Sequence, residues 1–118
     1  MKVIERKMLQ AVKLGKSVDL GNTRITSSGT RSRVYLFNNL IAEFDFADTI
    51  EANPEIGVSE IVGSLYVYTT YQSVTTKSRL NAILREYANT SIRQSDYVWY
   101  YADNTYTGNG RTFWGITK

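Results

Sequence analysis

The stretch RVYLFNNLIAEF, residues 33–44, contains two runs of β-favouring residues separated by two asparagines. Asparagine tolerates the positive φ angles that a type I′ turn requires, so the stretch predicts a β-hairpin with Asn38 and Asn39 in the turn. In that register Phe37 lies opposite Leu40. Both faces of the hairpin are largely apolar, which predicts that the hairpin is central to a sheet and is not buried on one side only.

Further strands are predicted on both sides of this hairpin. Gly21-Asn22 is a turn signal that precedes a strand at residues 23–26. The acidic residues 45–60 contain Pro54 and are predicted to form a loop, because proline does not fit a central strand. Downstream, alternating β-favouring residues predict strands at residues 61–71, 97–101 and 111–116.

Two segments, residues 2–14 and 76–88, show the 3.6-residue period of an amphipathic helix. Gly15 is a C-terminal stop for the first helix. The order of elements predicts a single α+β domain over residues 1–118, with a mainly antiparallel sheet of about five or six strands. The predicted core comprises Ile4, Met8, Val12, Leu36, Ile41, Leu80, Ile83, Leu84 and at least one tryptophan.

The composition excludes several kinds of chemistry, because the 118 residues include no cysteine and no histidine. Disulfides, zinc–thiolate sites and a Ser-His-Asp triad are therefore absent. Gly108-Asn109-Gly110 is not followed by the Lys-Ser/Thr of a phosphate-binding loop. We expect a protein that is not an enzyme and that has no metal and no cofactor. No apolar run approaches the roughly 20 residues of a membrane span, so we expect no membrane partner and a cytoplasmic location.

Charge is segregated along the chain, although the net charge is only +3. Residues 1–33 carry eight Lys/Arg against two acidic residues, a net charge of +6. Residues 34–76 contain six acidic residues and no Lys or Arg, and residues 77–118 have a net charge of +3. This pattern favours a molecule with a basic face, unless folding interleaves the opposite charges so that they cancel locally.

Aromatic residues make up 13% of the chain, and nine of them are tyrosines. Either some aromatic surface is exposed as a binding site, or helices and loops cover both faces of the sheet. Exposed rings beside basic residues are typical of nucleic-acid binding, in which cations contact phosphates and rings stack on bases. The candidate phosphate contacts are Lys2, Arg6, Lys13, Arg24, Arg31 and Arg33, and the candidate stacking residues are Trp99 and Tyr101.

Four segments resemble a family of small proteins encoded by tailed bacteriophages and marine cyanophages: NTRI (22–25), VYLFNNLIA (34–42), TTKSRLNAIL (75–84) and VWYY (98–101). The likeness extends from about residue 20 to the end of the chain. Residues 45–64 depart from the family pattern, being longer and more acidic. The resemblance implies a phage product made in the cytoplasm of an infected bacterial host, and it implies no particular activity.

Three functions from different classes are compatible with these observations. The first is a non-enzymatic phage protein that binds a macromolecule in the infected cell, with nucleic acid ahead of a host protein as the partner. The second is an inhibitor of a host enzyme or defence complex, which would act through protein–protein contacts. The third is a virion structural or decoration protein. Because strand edges without proline tend to pair, we also expect a homo-oligomer.

Overall fold

Within residues 2–46 and 61–117, which the computed structural model describes, the chain forms two helices and eight strands. The helices are α1 (Val3–Leu14) and α2 (Val74–Tyr87). The strands are β1 (Val18–Asp19), β2 (Thr23–Ser28), β3 (Arg31–Leu36), β4 (Asn39–Asp45), β5 (Ile61–Tyr68), β6 (Ile92–Ser95), β7 (Val98–Tyr101) and β8 (Arg111–Thr117). The predicted α+β class and both predicted helices are confirmed.

Six of the strands form one antiparallel sheet in the order β1-β2-β3-β4-β5-β8. The predicted sheet type and size are therefore confirmed. The strand predicted at residues 97–101 corresponds to β7, which pairs with β6 in a separate two-stranded sheet. Strand β6 was not predicted, since only Ile92 of its four residues is buried and no alternating apolar pattern marks it.

The predicted hairpin exists as β3 and β4, but the predicted position of its turn is wrong. The turn residues are Phe37 and Asn38, with φ angles of 47° and 65°, and Leu36 pairs with Asn39. The Asn39 side chain stabilises this turn by donating hydrogen bonds to the carbonyl oxygens of Leu36 and Phe37. Asn39 thus supports the turn from the first position of β4.

A shift in register follows the turn, because Tyr35 pairs with Leu40 whereas Val34 pairs with Ala42. The extra residue lies in β4 and decides on which face of the sheet Glu43 lies. Without it, the register that the turn sets would have placed Glu43 opposite Ser32 on the buried face. With it, Glu43 lies opposite Arg33 on the other face.

The hairpin has the central position in the sheet that was predicted, but its burial is one-sided. In β3 the buried residues are Ser32, Val34 and Leu36, and the alternate residues face away from the core. The prediction that the hairpin would not be one-sided is therefore wrong. The apolar appearance of residues 33–44 comes partly from Phe37, which is exposed in the turn.

The core lies between one face of the six-stranded sheet and a layer made by α1, α2 and the β6–β7 hairpin. Every predicted core residue is buried except Ile4, and Trp99 is the buried tryptophan. Ile4 is half-buried because the buried stripe of α1 runs through Glu5, Met8 and Val12. The sequence therefore predicted the face of α1 to within one residue.

A buried ion pair joins the two helices. Arg79 Nη1 of α2 donates to Glu5 Oε2 of α1 at 2.9 Å, and both residues are only 4% exposed. Ser78 Oγ donates to the same carboxylate at 2.5 Å, and Arg79 Nε donates to Thr23 Oγ1 of β2 at 3.1 Å. These hydrogen bonds fix α1, α2 and β2 against one another, and they satisfy the two charges that burial removes from water.

The pKa of Glu5 reflects these contacts. Burial by itself would raise the pKa of this carboxyl, but hydrogen bonds, those from Ser78 and Arg79 first among them, together with the charge of Arg79 outweigh burial and hold the pKa below its usual value. A further hydrogen bond from the Lys2 backbone N–H acts in the same direction. Folding is therefore coupled to the ionised form of Glu5.

Replacing one partner of the ion pair should be more damaging than replacing both. We expect Arg79→Met to reduce the free energy of unfolding by about 3–5 kcal/mol, because Glu5 is left buried without its cation. The double variant Glu5→Leu/Arg79→Met should recover much of that loss. Urea denaturation of the two variants and of the wild type measures both effects. A double variant less stable than Arg79→Met would contradict this account.

The ion pair should also produce a defined acid dependence. Because the folded-state pKa of Glu5 is lowered, its contribution to stability is complete above the ordinary value of 4.5 and is lost as pH falls through the folded-state value. Denaturation of the wild type and Glu5→Gln between about pH 6 and pH 2 tests this. The stability difference between them should shrink as the pH falls, and a constant difference would refute the coupling.

Candidate functional site

One face of the six-stranded sheet carries no helix within the described residues. We call this surface the open face. It is formed by the residues that alternate with the buried ones: Asp19 of β1, Arg24, Thr26 and Ser28 of β2, Arg31, Arg33 and Tyr35 of β3, Leu40, Glu43 and Asp45 of β4, Ser64, Tyr66 and Tyr68 of β5, and Arg111, Phe113 and Gly115 of β8. Its four arginines and three carboxylates give it a net charge of +1.

Strand register arranges the open face in rows, because paired residues of antiparallel strands point to the same side. The middle row crosses five strands and consists of Thr26, Arg33, Glu43, Tyr66 and Phe113. A basic side chain, an acidic side chain and two aromatic rings thus lie next to one another.

Two arginines of the open face stack on tyrosine rings. The Arg24 guanidinium lies 5.0 Å from the ring centre of Tyr35, and that of Arg111 lies 4.6 Å from the ring centre of Tyr66. The rings of Tyr66 and Phe113 are 5.5 Å apart, and Phe113 is 54% exposed. Such a cluster presents flat apolar rings beside cations.

The four arginines differ in their ionic partners. Arg31 Nε lies 3.2 Å from Asp45 Oδ2, and Arg33 Nε lies 2.8 Å from Glu43 Oε2. The hydrogen bond and the charge of Glu43 raise the pKa of Arg33. Among the described residues, no carboxylate forms a salt bridge with Arg24 or Arg111. These two guanidinium groups are therefore not held in a salt bridge within this part of the chain, although Asp19 of β1 lies opposite Arg24 on the same face.

The predicted phosphate contacts separate into two groups. Arg24, Arg31 and Arg33 share the open face, whereas Arg6 and Lys13 are exposed on α1 and Lys2 is exposed at its N-cap. Because the buried side of α1 packs on the opposite face of the sheet, the two groups lie on different sides of the molecule. The structure therefore does not join all six into one basic surface.

The groove between the helices contains two of the α1 residues. Arg6 and Lys13 line a groove of about 460 Å³ together with Leu9, Gln10, Leu14, Glu86 and Tyr87. Among the described residues that line this groove, Glu86 reduces its basic character and Tyr87 is the only one with an aromatic ring. The groove lacks the repeated pairing of cation and ring seen on the open face.

The predicted role of Trp99 and Tyr101 in base stacking is wrong for this structure. Each residue is only 3% exposed, because the β6–β7 hairpin packs them into the core. The Tyr101 ring meets Trp114 of β8 edge-on at 5.2 Å, and burial raises the pKa of the Tyr101 hydroxyl. The two residues do share one face of β7, as their spacing predicts, but that face is the buried one.

The site residues predicted from the sequence do not include the aromatic residues of the open face, which are Tyr35, Tyr66, Tyr68 and Phe113. A signal for two of them exists in the sequence. Arg33 and Tyr35 are two residues apart in one strand, and so are Arg111 and Phe113, so each pair must share a sheet face. An arginine and an aromatic residue at that spacing indicate an exposed face, since arginine is rarely buried without a partner.

Two other features of the described residues bear on function. Their carboxylates form no group of three that could hold a metal ion. Neither helix in this part of the chain is long and apolar enough to cross a membrane. An acidic loop was predicted at residues 45–60. Asp45 instead belongs to β4, and residues 47–60 lie outside the described residues.

Comparison with known families assigns the chain to a group of phage proteins. The model of the Kyanoviridae Gp96 protein family matches residues 1–115. The chain therefore belongs to this family of cyanophage proteins, which confirms the resemblance drawn from the sequence. Searches of curated proteins and of solved structures find no match to the chain.

Proposed function

We propose that this cyanophage protein is a non-enzymatic binder of single-stranded nucleic acid in the infected bacterial cell, and that the open face is its contact surface. The observation that carries the proposal is the pair of arginine–tyrosine stacks, Arg24 on Tyr35 and Arg111 on Tyr66. A guanidinium held on a ring can contact a phosphate with its edge while the ring beside it accepts a base.

The shape of the open face favours a single strand over a duplex. Reading a duplex groove requires a protruding helix or ribbon, whereas the bases of a single strand stack on rings that lie flat on a sheet. From Arg33 to Phe113 the middle row crosses three strand spacings, roughly 14 Å at about 4.8 Å each. This length accommodates two or three bases, the number that RNA-binding sheets of similar width stack.

The charge of the open face sets the expected strength of the interaction. Arg24 and Arg111 can each release a counterion from a phosphate, whereas Arg31 and Arg33 must first leave Asp45 and Glu43. We therefore expect a shallow salt dependence, with a slope of log K against log salt near −1.4 for two contacts at about −0.7 each. Stacking then supplies much of the affinity.

A specific observation also supports the alternative of a protein partner. The alternating charges of Arg31, Asp45, Arg33 and Glu43 match a protein surface of mixed charge better than a uniformly negative backbone. Arginine and tyrosine are also enriched in the residues that dominate protein–protein affinity. A host enzyme or defence complex that the phage protein inhibits would then dock on the same face.

The first experiment separates the open face from α1. Fluorescence anisotropy with labelled oligo-dT and oligo-rU at low salt should show binding by the wild type. We expect Tyr66→Ala to weaken it by about 1–3 kcal/mol through lost stacking, and Arg24→Ala/Arg111→Ala to flatten the salt slope.

The matched control is Arg6→Ala/Lys13→Ala, which removes the same charge from the helix side. It should leave affinity nearly unchanged. A loss confined to the helix variant would place the site on α1 instead. Absence of binding by the wild type would leave the protein-partner alternative, which capture of a bacterial protein by the wild type and not by Tyr66→Ala would support.

A further inference from the structure

The two edges of the six-stranded sheet differ in how their backbone is covered. On the β2 side, β1 pairs with Arg24 and Ile25, and Ser17 Oγ accepts a hydrogen bond from Ser27 N at 2.9 Å. Ser17 Oγ also donates to the Ser27 carbonyl oxygen at 3.3 Å. At the other edge, β8 runs for seven residues with no strand beside it among the described residues.

The hydrogen-bond pattern identifies which groups of β8 are free. Thr69 N donates to Gly110 O at 2.9 Å, so Gly110 directs its carbonyl towards the β5 side. Direction alternates along an antiparallel strand, and Thr112 and Trp114 therefore also face β5. The N–H and C=O groups of Arg111, Phe113 and Gly115 consequently point away from the sheet.

Strand β8 lacks the devices that normally protect a sheet edge. Its residues include no proline and no lysine, and the charge of Arg111 lies at its first position. The register of residues 111–116 against β5 is regular from Gly63 to Tyr68. Phe113 presents a half-exposed ring at the centre of this edge. Such an edge is a template for another strand.

We propose that the partner of this edge is a second copy of the chain, paired antiparallel through β8 with Phe113 of the two copies directly opposite. Only the outward-facing residues can exchange hydrogen bonds, and this register lets Arg111, Phe113 and Gly115 all do so. It places each Arg111 opposite Gly115 of the other copy, so no like charges oppose one another.

The register also continues a contact already present in one copy. Tyr66 pairs with Phe113 across β5 and β8, with 5.5 Å between their rings. Opposed Phe113 residues extend this into a row of four aromatic rings. The two-fold axis is perpendicular to the sheet, so the open faces of both copies lie on the same side and the six strands become twelve. The pairing rests on the strand edge and not on nucleic-acid binding.

Sedimentation equilibrium without nucleic acid tests the dimer. The wild type should approach twice the single-chain mass of 13.4 kDa as concentration rises. Phe113→Lys should raise the dissociation constant at least about tenfold, because two lysines would lie opposite each other. The control Phe37→Lys changes a phenylalanine of similar exposure, 58% against 54%, in a turn away from this edge, and it should dimerise like the wild type.

Disulfide cross-linking tests the register, and the absence of native cysteines makes the result unambiguous. Opposed residues have Cα atoms about 5.5 Å apart, within disulfide range, so Phe113→Cys should form a covalent dimer on mild oxidation. Arg111→Cys should not, since its two copies would be about 14 Å apart.

Three results would overturn the proposal. One is a wild-type mass of a single chain at every concentration. Another is a dimer that Phe113→Lys leaves intact. The last is cross-linking of Arg111→Cys as efficient as that of Phe113→Cys. A protein that stays a single chain and still binds oligonucleotides would contradict the dimer but support the proposed function. The two proposals can therefore be refuted separately.

Discussion

The ion pair between Glu5 and Arg79 is the constraint on which the arrangement of the molecule depends. Two charges that are nearly excluded from water are tolerated only when their hydrogen-bonding capacity is filled. The groups that fill it come from α1, α2 and β2, which therefore must meet at one place. Both helices are thus held on the same side of the sheet, and the open face is the consequence on the other side.

Folding resolves the charge segregation in two ways. Across the β3–β4 hairpin, basic and acidic segments become neighbouring strands, and Arg31 and Arg33 pair with Asp45 and Glu43. Local cancellation, one of the two outcomes expected from the sequence, holds for these residues. On α1 the basic side chains of Arg6 and Lys13 remain exposed on the side opposite the open face. The +6 of the first 33 residues is therefore spread over two surfaces.

The sequence predicted those parts of the fold that depend on periodicity. The apolar stripes of both helices, the antiparallel sheet and most of the core follow from residues such as Met8 and Leu84, whose spacing is set by the geometry of the helix. The class of the protein was also predicted, because segments 34–42 and 75–84 resemble the phage family.

The parts that could not be predicted depend on three-dimensional contacts. Glu5 and Arg79 look like ordinary surface charges in a helical pattern, and only their meeting across 74 residues makes them buried. The turn at Phe37 and Asn38 requires an unfavourable φ angle in phenylalanine, which local preference argues against. Alternation placed Trp99 and Tyr101 on one face but does not say which face the core covers.

The proposed binding surface is the open face and not α1. Chemical-shift mapping by NMR on isotopically labelled protein titrated with a short single-stranded oligonucleotide tests it most directly. We expect the perturbed signals to cluster at Arg24, Tyr35, Tyr66, Arg111 and Phe113, while the core signals of Trp99 and Tyr101 stay in place. Perturbations that cluster at Arg6 and Lys13 instead would contradict it.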